Sequence, residues 1–300
     1  MLFYNSLLAI CIFLTFCTDS HSQILKLLPE NELHLDGSFN RRKPNIKQRE
    51  FQVIMEKAQL IYEPIVASFG GELKVYGGWY VNTVNAYANQ KGGTWEVTIY
   101  GGLARRPEIT PDAVMLIVCH ELGHHLGGYP FVNNWASVEG QSDYYATHVC
   151  APKMWSDEIE KNTLARLNVD PNAKIKCDSV YANKEEQNLC YRISLAGQSL
   201  ANLLGNAKGE PTPSYGTPST LEVDKTNMSY PDAQCRLDSY LAGGLCKISY
   251  DDNVIPGDNF RGKRRKRRAE QESLLYNCSQ FNSDHSVSMR PKCWFAQREG

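Results

Sequence analysis

Apolar residues recur at spacings of three and four across residues 44–69: Phe51, Ile54, Met55, Ala58, Ile61, Ile65 and Phe69. That period predicts an amphipathic helix. Gly70-Gly71 supplies its stop, and Pro64 is expected to kink or shorten it. Leu73–Tyr76, Trp79–Ala88 and Trp95–Tyr100 then read as short strands, separated by Gly77-Gly78 and Gly92-Gly93. A capped helix follows. Thr110 suits the N-cap, Pro111 the first helical position and Asp112 the positive helix end. It runs through Ala113–Leu126 to Gly127-Gly128. Further helices are expected over Ser137–Cys150, ending before Pro152, and over Lys184–Leu204, with Leu189, Ile193, Ala196, Leu200 and Leu204 on one face. Residues 205–231 are rich in Gly, Pro, Ser and Thr and predict a long surface loop. The expected class is α+β: mainly helical, with a small antiparallel sheet beside the 113–126 helix.

Leu7–Phe16 is an apolar run of ten, too short to span a bilayer. Small residues at Ser20 and Ser22 flank a cleavage position before Gln23, so residues 1–22 read as a secretory signal peptide. A lipobox ending at Cys17 is a weaker reading, because Phe16 is bulky where a small residue is wanted. No later segment is apolar enough to cross a membrane. Of ten cysteines, Cys11 and Cys17 lie in the leader, leaving eight. An even number in an exported chain predicts disulfides. Order along the chain favours 177–190, 235–246 and 278–293 as local staples, which leaves Cys119 with Cys150.

With 42% hydrophobic and 22% charged residues, the 300-residue chain is neither disordered nor low in complexity. Its net charge of −1 gives no global bias toward nucleic acid. That average conceals the run 261–268 (RGKRRKRR), in which seven of eight residues are basic. The bland reading of Arg261–Arg268 is a solvated linker. Electrostatic attachment to anionic envelope lipid or to nucleic acid, and cleavage by trypsin-like proteases, are the alternatives. The aromatic interleaving of a single-strand nucleic-acid site is absent, so no specific nucleic-acid partner is expected.

The candidate chemistry lies in His120-Glu121-Leu122-Gly123-His124. Positions four apart share a helix face, so His120 and His124 can address one metal with Glu121 as general base. At this composition the spacing arises by chance on the order of 1% of the time. A catalytic zinc needs a third protein ligand and an open fourth position. Glu139 on the next predicted helix is the candidate ligand. Asp143, one turn on, can accept the free N–H of a ligand histidine. His125 is rotated about 100° from His124 and should point elsewhere, and His148 reads as structural or solvated.

Asn85-Ala-Tyr-Ala, Trp95–Gly101-Gly-Leu, His120-Glu-Leu-Gly-His and Glu139-x-x-x-Asp143 together resemble the gluzincin metallopeptidases of the HtpX, CAAX prenyl protease and Oma type. The resemblance spans about residues 45–240. It implies a zincin-type fold, one zinc ion held by His120, His124 and Glu139, and hydrolysis of a peptide or protein substrate. The family's H-P-x-x-x-x-R element has a counterpart in Tyr230-Pro231 through Arg236, with Tyr in place of His. Tyr230 is therefore a candidate oxyanion donor and Arg236 a candidate site organiser. Zinc would acidify a bound water, and Glu121 would take its proton and pass it to the leaving amine. Trp95, Val97 and Ile99 are expected on an edge strand that pairs with the substrate, with an interior strand as the alternative.

The domain plan is thus a leader at 1–22, an N-terminal extension at 23–43, a metallopeptidase domain at 44–250, and a basic linker with a disulfide-tied tail at 251–300. The expected function is an exported zinc endopeptidase, periplasmic or secreted. The alternatives are a non-catalytic envelope-binding protein on a degenerate protease fold and a metallohydrolase of a non-peptide amide. Intact Glu121 argues against the first, since a binding module needs no general base.

Overall fold

The structure is a computed structural model that describes residues 24–29, 31, 33, 44–260, 266–280 and 287–296. Residues 1–22, where a leader is expected, most of the 23–43 segment and residues 261–265 of the basic run lie outside the described residues. Two residues of strand β1 (Leu25–Lys26) open the fold. Helix α1 (Gln48–Ser68) comes next, then strands β2 (Glu72–Gly78), β3 (Ala86–Lys91) and β4 (Thr94–Tyr100). The short α2 (Gly101–Ala104) precedes α3 (Pro111–Leu126), whose N-cap Thr110 accepts from the Ala113 N–H as its sequence predicts. Helices α4 (Glu139–Tyr145), α5 (Ala151–Trp155), α6 (Ile159–Ala165), α7 (Pro171–Val180), α8 (Lys184–Lys208), α9 (Ala233–Gly244) and α10 (Lys266–Ser273) complete the described chain.

Every residue of α3 from Ala113 to Leu126 is buried. A helix apolar on all sides belongs at the centre of the core, and α3 packs against α1, α4, α8, β3 and β4. Pro64 does not shorten α1, which runs on to Ser68. Pro152 does not end the helical run after α4. Pro lacks the N–H that a helix needs, and the chain accommodates it by widening to a π-helical turn over Ala146–Cys150 and restarting as α5 with Pro152 in its first turn.

The sheet corrects two expectations. Its order is β1-β3-β4-β2, with β3 antiparallel to β4 and β2 parallel to β4. It is therefore mixed, not antiparallel. Gly92 and Gly93, at φ of 58° and 86°, make the two-residue hairpin between β3 and β4. Consequently β4 is interior. Val97 and Ile99 are fully buried and Trp95 packs against the core, so the three residues expected on a substrate-binding edge line the interior instead.

Cys119–Cys150 and Cys177–Cys190 pair as expected. The other two pairs are Cys235–Cys293 and Cys246–Cys278, not 235–246 and 278–293. The C-terminal segment returns across the molecule. Trp294 is fully buried, and Gly140 of α4 makes room for it: a Cβ there would sit 2.3 Å from the indole ring. This tail is a wall of the core. Leu27 and Leu28, placed by the sequence in an extension, are likewise buried in the main cluster.

An ion network ties α1 and α8 to the start of α6. Glu158 accepts from Lys57 at 2.7 Å, from Arg192 at 2.8 Å and from Lys161 at 3.0 Å. Burial by itself would raise the Glu158 pKa, but these three cations lower it to about 2. A depressed carboxylate stabilises the fold above its unfolded value near 4.5 and loses that contribution as pH falls toward 2. The urea midpoint should therefore drop between pH 5 and pH 2.5, and Glu158→Gln should flatten that drop. An unchanged drop in the variant would show that the network is not its cause.

Candidate metal centre

The site is built on two helices that approach closely. Gly123, the second of the two variable positions of His-Glu-Leu-Gly-His, faces α4, and a Cβ there would lie 2.8 Å from the Ser142 carbonyl. Only glycine lets α3 and α4 meet at this distance without displacement. The Cys119–Cys150 disulfide joins the residue preceding His120 to the helical segment that continues from α4. The two helices that carry the candidate ligands are thus cross-linked beside the site.

Ligand atoms of His120, His124 and Glu139 lie within 4.8 Å of one another, and all three residues are buried. Nε2 of His120 is 3.3 Å from Oε2 of Glu139, and Nε2 of His124 is 3.5 Å from Oε1. Neither approach is aligned as a hydrogen bond: both Nε2 atoms and Oε2 of Glu139 lack a partner, as do both oxygens of Glu121. Unpaired polar atoms at full burial cost free energy, and here they converge on one point. The donor set of two imidazoles and a carboxylate is one that tetrahedral zinc takes, with a fourth position open. The residues fit a divalent ion.

The opposite side of each imidazole is held. Nδ1–H of His120 donates to Oδ1 of Asp143 at 2.8 Å. Nδ1 of His124 lies 2.8 Å from the Ser137 carbonyl, its natural acceptor, and 2.9 Å from the Ser142 hydroxyl. With each Nδ1 held, Nε2 is the atom that each ring turns to the cluster, and an ion there would take its lone pair, displacing the proton from His120. Arg236 of α9 closes the network. It binds Asp143 in a fork, Nε to Oδ2 at 2.7 Å and Nη2 to Oδ1 at 2.8 Å, and Nη2 also approaches Oε2 of Glu139 at 3.4 Å. Its Nη1 donates to the Leu27 carbonyl at 3.1 Å.

Protonation follows from this wiring. Burial lowers the His120 pKa, but the Asp143 carboxylate outweighs it and raises the value to about 9. Burial lowers that of His124 to about 4, so its ring is neutral at pH 7. Asp143 is held well below the usual carboxylate range: burial opposes this, and Arg236 and His120 overcome it. Burial pushes Glu121 up to about 8, with Glu139 adding to the rise. A carboxyl tuned to that region can both accept and return a proton near neutral pH.

His125 points away from the cluster, as its helical angle requires. It stacks between Trp95 and Trp135, with ring centroids 5.3 and 5.0 Å away, and bonds to Gln90 and the Glu96 carbonyl. His148 bonds the Ile248 carbonyl at 2.7 Å. Tyr230 is half-buried and its hydroxyl donates to the Lys26 carbonyl at 2.9 Å. The sequence reading did not anticipate Ser137, Ser142 or the Leu27 carbonyl in this network. Ser142 carried a signal, since it sits three residues after Glu139 and so shares its helix face. Of the remaining sequence-derived candidates, Lys266, Arg267 and Arg268 are exposed at the start of α10, remote in sequence from every ligand. Set against known proteins, the chain matches no family model, no curated protein and no solved structure.

Proposed function

We propose that this chain is an exported zinc-dependent endopeptidase of the gluzincin kind. The observation that carries the reading is the convergence of three buried, unpartnered donor atoms on one point, with the equally unpartnered carboxylate of Glu121 beside them. A metal alone would explain the histidines and Glu139. It would not explain a second carboxylate kept free of hydrogen bonds at full burial, whereas a general base needs that freedom.

Zinc bound there would acidify a water and polarise a scissile carbonyl. His120, His124 and Glu139 would hold the ion. Asp143 and Arg236 fix the ring of His120, and Ser137 fixes that of His124. Glu121 accepts the proton of the attacking water and returns it to the leaving amine nitrogen. Tyr230 is the candidate donor to the developing oxyanion, once its hydroxyl is free of Lys26. Four disulfides suit an oxidising compartment, and no helix among the described residues is long and apolar enough to cross a membrane.

Purified protein should contain about one zinc per chain. A chelator should remove the metal and stop casein digestion, and added zinc should restore both. Stoichiometric zinc without chelator-sensitive cleavage would leave a binding protein, and no zinc at all would remove the basis of the reading.

A further inference from the structure

The metal cluster is sealed. His120, Glu121 and His124 are fully buried and Glu139 is 5% exposed, although a peptide bond must reach them. With β4 interior, a peptide that extends the sheet beside α3 has one edge available, the outer edge of β3. The far edge, β2, packs against α1. The edge of β3 is already taken in part by this chain's own N-terminal segment. Leu25 pairs with Ala88 and Lys26 with Tyr87, antiparallel, and the Leu27 N–H donates to the Ala86 carbonyl at 3.1 Å.

That segment is held in the manner of a bound peptide. Its main chain is clamped by side chains: Tyr230 donates to the Lys26 carbonyl, Arg236 to the Leu27 carbonyl, and Asn85 bonds both the N–H and the carbonyl of Leu28. The side chain of Leu25 is seated against Ala88, Trp135 and Ala136. Trp135 and Ala136 belong to the loop whose Ser137 carbonyl orients His124. The segment thus touches β3, the loop between the metal-bearing helices, Tyr230 and Arg236 at once. Backbone clamping with a pocket for one apolar side chain is how an added strand is recognised.

We propose that Ile24–Leu28 is a self-ligand of the hydrolytic site, lying along the β3 edge that an extended peptide substrate must use and holding the site closed until it is displaced. This rests on the metallopeptidase reading and deepens it. The substrate class is an extended peptide with an apolar side chain where Leu25 sits. Leu27 and Leu28 are anchored in the core, so the part free to lift is the outer end, Ile24–Lys26.

The test uses the zinc-loaded full chain and a fluorescent peptide that carries the sequence Ile24–Lys26. Leu25→Asp places a charge in the apolar seat. The apparent affinity for an added peptide is the intrinsic affinity scaled by the open fraction. The variant should therefore bind the peptide at least about tenfold more tightly than wild type, and its cleavage of an internally quenched apolar peptide should rise in step. Equal peptide binding by wild type and a variant with native zinc content would overturn the proposal. Should Leu25→Asp fail to fold, the milder Leu25→Ala, which empties the seat against Ala88, Trp135 and Ala136 without burying a charge, should also raise peptide binding, and no rise there would overturn the proposal equally. Tighter peptide binding without any cleavage would uphold the self-ligand and refute the hydrolytic reading, so the two can fail separately.

Discussion

Glu121→Gln is expected to abolish peptide hydrolysis while leaving the fold and the metal in place. The substitution keeps shape and volume and removes only the ability to take a proton. A positioned general base contributes about 10²–10⁴-fold to rate, so residual casein or peptide cleavage should fall by at least about 10². Neither Glu121 oxygen has a hydrogen-bond partner, so the change breaks no contact within the protein. Stability should, if anything, rise at neutral pH in the metal-free chain. Burial raises the Glu121 pKa to about 8, so the folded chain holds a proton that the unfolded chain releases near 4.5. Such a group costs stability as pH climbs from about 4.5 to 8, and glutamine removes that cost. The measurements are zinc content, thermal midpoint and cleavage rate on the same preparation. Cleavage that survives the substitution would refute Glu121 as the base, and loss of zinc would make it a ligand instead.

The features legible in the sequence are those set by local physics. Thr110-Pro111-Asp112 fixes a helix start through capping and the helix dipole, and α3 begins there. Residues four apart share a helix face, so His120 with His124, and Glu139 with Asp143, come out as pairs. What joins them is long-range. The parallel pairing of β2 with β4 brings Leu73 directly opposite Trp95, although β3 lies between the two strands in the sequence. The alternation in Trp95–Tyr100 suits a half-exposed strand and says nothing of a third strand laid on its open edge. The disulfides show the same limit. Pairing cysteines in chain order assumes that the tail stays local, but Trp294 is drawn back into the gap above Gly140, and Cys293 travels with it to Cys235. The Leu27 and Leu28 signal was visible as four apolar residues among Ile24–Leu28. Its position directly after the expected leader suggests an extension rather than a core strand.

Arg236→Ala should be the most destabilising single change at the site. The guanidinium is 1% exposed as a residue and is bound to Asp143 through two short bonds. Removing one partner of a buried pair leaves the other charge uncompensated, at about 3–5 kcal/mol. The urea midpoint should fall accordingly. Zinc affinity, read by competition with a chelating dye, should fall by about 10–100-fold, because Asp143 would no longer be held against Nδ1 of His120. These two losses can be separated. Asp143→Leu combined with Arg236→Met removes both charges, and replacement of a buried pair by apolar groups of similar volume is often neutral. The double variant should therefore recover most of the stability and none of the affinity, since Nδ1 of His120 then faces a hydrocarbon. Recovery of zinc affinity in the double variant would show that the Asp143–Arg236 pair serves the fold alone and that His120 needs no partner to bind an ion. Failure to recover stability would place the value of Arg236 in its bond to the Leu27 carbonyl instead, and so in the seating of the N-terminal segment.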